Sequence, residues 1–85
     1  MKINLLYGTP AMSGYLNVDH LGISKDAYHG NVRELTEFVD DAEATEIIAI
    51  DVINFFNKNE ILSIIDHWVS KLRHEGRIII GAIDS

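Results

Sequence analysis

The sequence predicts an α/β fold built on a parallel sheet, and residues 46–84 carry most of that prediction. Ile47–Ile53 is apolar enough to be a strand covered on both faces, and Arg77–Ile83 has the same character. Between these two runs, apolar residues at helical spacing form a single stripe: Ile61, Ile64, Ile65, Trp68, Val69 and Leu72. A strand, a crossover helix and a second buried strand make a βαβ unit, whose two strands are parallel.

Sequence signals mark both ends of the predicted helix. Asn57, followed three residues later by Glu60, predicts an N-cap and a variant of the capping box. Gly76 stands where the helix is expected to stop. Arg73 and His74 fall in the expected last turn, near the negative end of the helix dipole.

The first half of the chain predicts three more strands. Lys2–Tyr7 is the opening strand, Tyr15–Asp19 the second, and Ala27–Asn31 a third and weaker one. Gly8–Gly14 separates the first two and contains two glycines and the only proline. Because a parallel crossover normally needs a dozen or more residues, two arrangements remain open. The strands either cross by a short irregular segment or form an antiparallel hairpin.

A short helix and a dense run of acids are predicted next. Val32, Leu35 and Phe38/Val39 recur at helical spacing, which predicts a short helix leading towards Asp40. Residues 34–46 contain six carboxylates and no basic residue, and the whole chain has a formal charge of −6. Such a surface repels phosphate backbones, so we expect no broad nucleic-acid surface. The run is either a solvated acidic edge or a surface for a cationic partner.

Composition narrows the class of protein. Eighty-five residues predict one domain, residues 1–85, with a small core. The chain is 47% hydrophobic and 24% charged, and no apolar run approaches the roughly 18 residues of a membrane span, so we expect no membrane partner. The absence of cysteine excludes disulfides and thiolate chemistry and fits a cytoplasmic setting. The four histidines form no metal-binding set and are expected at the surface, whereas Trp68 is expected in the core.

Four segments, in this order, resemble small class I S-adenosylmethionine-dependent methyltransferases. Ile3–Gly8 stands in the place of the family's LNLGCG, and Ser13–Asp19 matches PGYINVD at nearly every position. Glu46–Phe55 follows EIYASHVLEH, and His67–Ile80 resembles EWYRVLKPGGRLII. The resemblance implies a truncated Rossmann-like methyltransferase fold of about five mostly parallel strands with few helices. It also implies S-adenosylmethionine as cofactor and S-adenosylhomocysteine as product.

The resemblance assigns cofactor-binding roles at the ends of the first two strands. Gly8 is the remnant of the glycine-rich turn, since Leu6 replaces its first glycine and Tyr7 its cysteine. The alternative is an ordinary turn that ends the strand. Asp19 is expected to accept hydrogen bonds from the two ribose hydroxyls, or else to cap a turn before Gly22.

Three further residues complete the predicted cofactor site. Asn4 takes the place of an acidic residue in many relatives, or makes a structural hydrogen bond. Asn31 stands where the family has an acid near the adenine. An unpaired carboxylate is costly in an apolar run, so Asp51 is expected at the carboxyl edge of the sheet. There it lines a ligand pocket with Asn54 and Phe55, or ends the strand at the surface.

The expected function is transfer of a methyl group to an unknown acceptor. The catalytic residues are unknown, and Asp51 and Asp84 are the only candidates for a general base. The alternative is a catalytically inactive methyltransferase homologue that acts as a structural or regulatory binding module. A short first crossing leaves part of one sheet face without a helix, so we expect a homo-oligomer, most simply a dimer. Another subunit or another protein is also expected to complete the acceptor pocket, because the family usually has two more strands.

Overall fold

The computed structural model of the chain describes residues 1–81. These residues form one five-stranded sheet in which every neighbouring pair of strands is parallel. The strands are β1 (Lys2–Leu6), β2 (Leu16–Asp19), β3 (Tyr28–His29), β4 (Ala44–Ile50) and β5 (Leu72–Gly81). Their order across the sheet is β3-β2-β1-β4-β5. The prediction of an α/β fold with about five parallel strands is confirmed, while Asp84 lies outside the described residues.

The crossing from β1 to β2 contains no helix, and of the two arrangements left open the short irregular crossing is correct. The amide side chain of Asn17 holds this segment. Its Nδ2 donates to the carbonyl oxygens of Met12 and Tyr15, at 3.0 Å each, and its Oδ1 accepts from the Met12 N–H at 2.8 Å. One buried side chain thereby replaces the backbone partners that a crossover helix would have supplied.

The connection from β3 to β4 is not helical, so the helix predicted towards Asp40 is wrong. Val32, Leu35 and Val39 are buried, as their spacing predicts, but the chain forms only isolated turns. Val32 lies on one turn, and the next is closed by the Val39 N–H donating to the Leu35 carbonyl oxygen at 3.0 Å. The N–H groups of Val32 and Leu35 are bonded to histidine side chains instead of to helical carbonyls. These external partners explain why helical spacing does not produce a helix here.

The only α-helix of residues 1–81 is α1 (Lys58–Lys71). Its capping box is confirmed: the Asn57 side chain accepts from the Asn59 N–H at 3.0 Å, and Glu60 accepts from the Asn57 N–H at 3.2 Å. The predicted end at Gly76 is wrong, because Leu72 is already extended and pairs with Ala44. No helix in the described part of the chain has the length and apolar character needed to cross a membrane.

The core lies on one face of the sheet, beneath α1 and the β3–β4 connection. Its buried strand residues are Ile3, Leu5, Val18, Ala44, Ile47 and Ala49. Trp68 of α1 is completely buried against them, as predicted. The prediction that the strand of Arg77–Ile83 is buried on both faces is wrong, because β5 lies at the edge of the five-stranded sheet and Ile79 is 42% exposed. β4 also begins and ends earlier than predicted, so Asp51 follows the strand.

Candidate functional site at the carboxyl edge of the sheet

The carboxyl ends of the strands meet at one edge of the sheet, as they must in a parallel sheet. β1 has β2 on one side and β4 on the other, so the chain changes direction across the sheet at β1. Ligands of open α/β sheets bind outside the carboxyl ends of the strands at such a switch point. Gly8, Asp19, Asn31 and Asp51 end or follow β1, β2, β3 and β4, respectively. The four residues therefore belong to one edge of the sheet.

Asp19 is completely buried at the end of β2, and backbone N–H groups donate hydrogen bonds to both of its carboxylate oxygens. Oδ1 accepts from Gly8 at 2.7 Å and from Leu21 at 3.2 Å, whereas Oδ2 accepts from Ile23 at 2.9 Å and from Ser24 at 2.8 Å. Burial alone would raise the pKa of this carboxyl, but the four hydrogen bonds outweigh it and lower the pKa to about 2. Asp19 is therefore ionised, and in this conformation it caps the turns around it.

The Gly8 N–H makes the shortest of these hydrogen bonds to Asp19, and the backbone conformation at Gly8 requires glycine. Its φ is +83°, and an added Cβ would lie 3.0 Å from Leu21 Cδ1 and 3.3 Å from Ile23 Cδ1. Residues 21–24, called the covering loop below, thus lie against the Gly8 turn. The loop is held by Asp19 and by a hydrogen bond from the Ser24 hydroxyl to the Thr9 carbonyl oxygen. Leu21 is 43% exposed and Ile23 72% exposed, so core packing contributes little to its position.

Asn4 is buried beneath the β1–β2 crossing, where its Nδ2 donates to Asn17 Oδ1 at 2.9 Å. The structural hydrogen bond that the sequence left open is therefore present. Asn4 also lines a cleft of about 280 Å³ between the sheet and the crossing segment. Leu6, which replaces the first glycine of the resembling motif, lines the same cleft and is only 3% exposed. A second cleft, of about 400 Å³, lies beside Gly8 and extends to Ser24 and Asp26.

Asn31 and Asp51 belong to the same edge but do not contact the Gly8–Asp19 pair through any side-chain hydrogen bond within residues 1–81. Asn31 is exposed, and its Oδ1 accepts from the Arg33 N–H at 2.9 Å. Asp51 is half-buried with a φ of +58°, a left-handed conformation that costs energy for any residue except glycine. Its N–H donates to the carbonyl oxygen of Gly81 at 2.8 Å.

An aromatic stack covers the switch point, and sequence reasoning missed it as a unit. The ring of Tyr7, just after β1, stacks on His20, just after β2, at a centroid distance of 5.3 Å. Tyr7 also stacks on Phe55, which follows β4, at a centroid distance of 3.9 Å and an interplanar angle of 3°. Phe55 remains 55% exposed. The signal in the sequence was an aromatic residue immediately after each of two neighbouring strands, together with Phe55.

Two histidines differ from the expectation that all four lie at the surface. His20 is half-buried in the aromatic stack, and burial followed by the Arg33 charge lowers its pKa. The His67 side chain is 22% exposed and accepts a hydrogen bond from the backbone. Within residues 1–81, no group of three or more His, Asp or Glu side chains is arranged to hold a metal ion.

A second charged cluster lies at the opposite end of the sheet. Glu46 of β4 is buried and accepts hydrogen bonds from the Tyr15 hydroxyl and, at 2.5 Å, from Arg77 Nε. These two hydrogen bonds lower the pKa of Glu46. The bond between Tyr15 and Glu46 also raises the pKa of the Tyr15 hydroxyl. The cluster ties the β1–β2 crossing to β5 through β4, which is a structural role away from the carboxyl edge.

Comparison with known proteins found no matching family model, no significantly similar curated protein and no significantly similar solved structure.

Proposed function

We propose that this chain is a small S-adenosylmethionine-dependent methyltransferase domain whose cofactor site is the carboxyl edge around Gly8 and Asp19. The observation that carries the proposal is the placement of Gly8, Asp19, Asn31 and Asp51 at the ends of four parallel strands flanking the switch point. The strand order 3-2-1-4-5 supports it, because dinucleotide-binding α/β sheets begin with this order. The four sequence segments that resemble the family occur in the same order along the chain.

The residues at this edge fit the cofactor if the covering loop moves away from Asp19. Gly8 leaves space that a side chain would fill, and its left-handed backbone suits a close approach of a ligand. Asp19 is ionised and carries the two acceptor oxygens that a ribose diol requires. Backbone N–H groups already donate to both oxygens, and three of these four donors, Leu21, Ile23 and Ser24, belong to the covering loop. The covering loop must therefore leave Asp19 before a ribose can bind there.

Opening of the covering loop is compatible with its packing. Its large side chains, Leu21 and Ile23, are exposed and do not belong to the core. Opening then breaks the hydrogen bonds to Asp19 and the Ser24–Thr9 contact but moves no residue of the buried core. In the open state, the ribose hydroxyls would replace the loop N–H groups on Asp19, so the carboxylate keeps its charge and its donors.

The bound cofactor supplies an activated methyl group for in-line displacement, so the protein mainly orients the acceptor and excludes water. In this proposal Gly8 and Asp19 hold the cofactor, and Asn31 contacts its adenine end. Asp51, held left-handed after β4, is the general-base candidate within the described residues if the acceptor must lose a proton. The methyl acceptor itself is not specified by these contacts.

Isothermal titration with S-adenosylhomocysteine tests the proposal. We expect micromolar binding, weakened by about 10- to 100-fold in Asp19→Asn because a hydrogen bond to a charged group is worth roughly 1.5–3 kcal/mol. Asp66→Asn, which changes an exposed acid on α1, is the matched control and should bind normally. Circular dichroism must show that each variant is folded. Absence of heat at millimolar ligand with folded wild-type protein would refute cofactor binding.

The second candidate, an inactive homologue that serves as a structural or regulatory binding module, is favoured by the closed state of the site. All four hydrogen-bonding positions of Asp19 are filled within the protein, and the Tyr7–Phe55 stack covers the switch point. Amide exchange separates the two candidates. Exposure of the Leu21, Ile23 and Ser24 amides on adding S-adenosylhomocysteine supports the methyltransferase, whereas unchanged protection supports the inactive module.

We also propose that the domain works as a homo-oligomer, most simply a dimer. On the sheet face opposite α1, the β1–β2 crossing lies over Asn4 and Leu6, but Ile50 is 44% exposed and Ile79 42% exposed. Apolar side chains at a sheet edge favour association with another surface. A second subunit on this face would approach the carboxyl edge from the β4–β5 side, where Asp51 lies.

A further inference from the structure

The β3–β4 connection is fixed to the core by an unusual set of acceptors. Residues 31–39 bury Val32, Leu35 and Val39 without a helix. The Val32 N–H donates to His20 Nδ1 at 3.3 Å, and the Leu35 N–H donates to His67 Nε2 at 2.9 Å. Two imidazoles, one after β2 and one on α1, thus hold the same segment.

Both contacts require an unprotonated ring nitrogen. A neutral imidazole offers one acceptor nitrogen, but an imidazolium donates from both nitrogens and accepts from neither. Val32 and Leu35 are completely buried, so their N–H groups would lose their partners away from water. An unsatisfied buried N–H costs about 1–3 kcal/mol. Protonation of either imidazole therefore changes its contact with the segment from attraction to repulsion.

The charges around His67 provide an alternative partner for the protonated ring. Glu34 Oε1 lies 3.7 Å from His67 Nε2. Hydrogen bonds from Thr36 lower the pKa of Glu34, so this carboxylate is ionised and ready to accept. Lys71 and Asp41 form an ion pair nearby at 2.7 Å, one turn further along α1 and in the connection. After protonation, Nε2–H would turn from the Leu35 N–H towards Glu34.

The surroundings of His20, burial above all, favour its neutral form. Burial is the largest cause of its lowered pKa, followed by the Arg33 guanidinium, while Asp19 opposes the shift and His29 adds slightly to it. Its ring is packed against Tyr7 and, edge-on, against Phe56. At neutral pH, His20 therefore keeps the acceptor that the Val32 N–H needs.

We propose that His20 and His67 form an acid-sensitive clasp that holds residues 31–39 on the core at neutral pH and releases them when the imidazoles gain protons. The clasp does not depend on the proposed methyl transfer. Release would move Asn31 away from the carboxyl edge and uncover Trp68, whose indole nitrogen donates to the Val32 carbonyl oxygen.

The direction of the pH dependence follows from proton linkage. The unfolded chain has histidines with a pKa of about 6.5, whereas the pKa of His20 in the folded protein is lower. Below pH ~6.5, the unfolded or released state therefore binds more protons than the folded state. The stabilisation is complete above pH ~6.5 and is lost as the pH falls from there towards the lowered folded pKa.

Nuclear magnetic resonance of the ligand-free full chain between pH 8 and 4.5 tests the clasp. We expect the Val32 and Leu35 amide protons to shift upfield with the same midpoints as the His20 and His67 ring protons. Trp68, the only tryptophan, should shift its fluorescence to longer wavelength in parallel. Ring titration without movement of either amide would overturn the proposal, as would the absence of any ring titration in this range.

Non-titrating acceptors provide the decisive variants. In His67→Gln, the amide oxygen takes the place of Nε2, so we expect the Leu35 resonance to become independent of pH. In His20→Asn, the same should hold for Val32. His74→Gln is the matched control, since His74 is exposed, and it should keep both transitions. Unchanged transitions in His20→Asn and His67→Gln would overturn the clasp, and the wild-type titration decides if a variant fails to fold.

Discussion

The indole nitrogen of Trp68 donates a hydrogen bond of 2.8 Å to the carbonyl oxygen of Val32, and both residues are completely buried. The bond joins α1 to the β3–β4 connection, which contains no helix. A connection without secondary structure must find partners for its buried backbone groups elsewhere. Trp68 is therefore both a core side chain and a backbone partner, a second role that the apolar spacing of α1 does not reveal.

Replacing Trp68 with Phe should reduce the free energy of unfolding by about 2–4 kcal/mol, because it leaves the Val32 carbonyl without a donor and opens a small cavity. Urea denaturation at pH 7.5 measures the change. Ser63→Ala, on the exposed side of α1, should stay within about 0.5 kcal/mol of the wild type. A Trp68→Phe protein as stable as Ser63→Ala would contradict the role assigned to the hydrogen bond.

Asp19 should make the protein sensitive to acid below pH 4. Its pKa is about 2 in the folded protein and near 3.9 in the unfolded chain, so its contribution is present above pH ~4 and is lost as the pH falls towards 2. The shift corresponds to a stabilisation on the order of 2 kcal/mol. In Asp19→Asn this part of the pH dependence should disappear, as measured by urea midpoints at pH 5 and pH 2.5. Asp66→Asn should retain the full wild-type slope.

The capping box of α1 should contribute measurably to stability. Asn57→Ala removes the acceptor for the Asn59 N–H and should cost about 1 kcal/mol of unfolding free energy. Asn59→Ala is the matched control, because it makes the same side-chain change two residues later, where the side chain makes no hydrogen bond within residues 1–81. Thermal melting of both variants tests the difference, and equal melting temperatures would rule out a stabilising cap.

The proposed dimer should depend on the sheet face that exposes Ile50 and Ile79, and not on α1. Ile79→Lys places a charge on the edge strand β5 and should give a monomer in sedimentation velocity at tens of micromolar, with little change in melting temperature. Leu62→Lys introduces the same charge on α1, where Leu62 is 76% exposed, and should leave the dimer intact. Wild-type protein that sediments as a monomer at this concentration would refute the dimer.

The sequence was informative where local signals and buried patterns agreed. The parallel sheet, the capping box at Asn57 and the core position of Trp68 were all predictable from spacing and residue type. The end of α1 was not, because the pairing of Leu72 with Ala44 draws the chain into β5 before Gly76. The missing helix after Asn31 depends on acceptors from His20 and His67, which are distant in sequence.

The candidate site shows the same division. The positions of Gly8 and Asp19 at strand ends were predictable, but the alternative roles of Asp19 differ only in where the N–H groups of residues 21–24 lie. That arrangement depends on the path of the covering loop, for which the sequence contains no periodic signal. The Tyr7–Phe55 stack likewise joins residues that are distant in sequence, although they follow the neighbouring strands β1 and β4. Its geometry arises from tertiary packing alone.

The all-parallel sheet has a kinetic consequence. No two of its strands are joined by a tight hairpin, so no strand pair can form as a local unit before the chain has closed a longer loop. The central pairing of β1 with β4 brings Ile3 beside Ile47, and the chain must lose the entropy of that closure before burial of the core offsets it. We therefore expect this small domain to fold slowly for its size, with exposed strand edges during folding that make it vulnerable to aggregation.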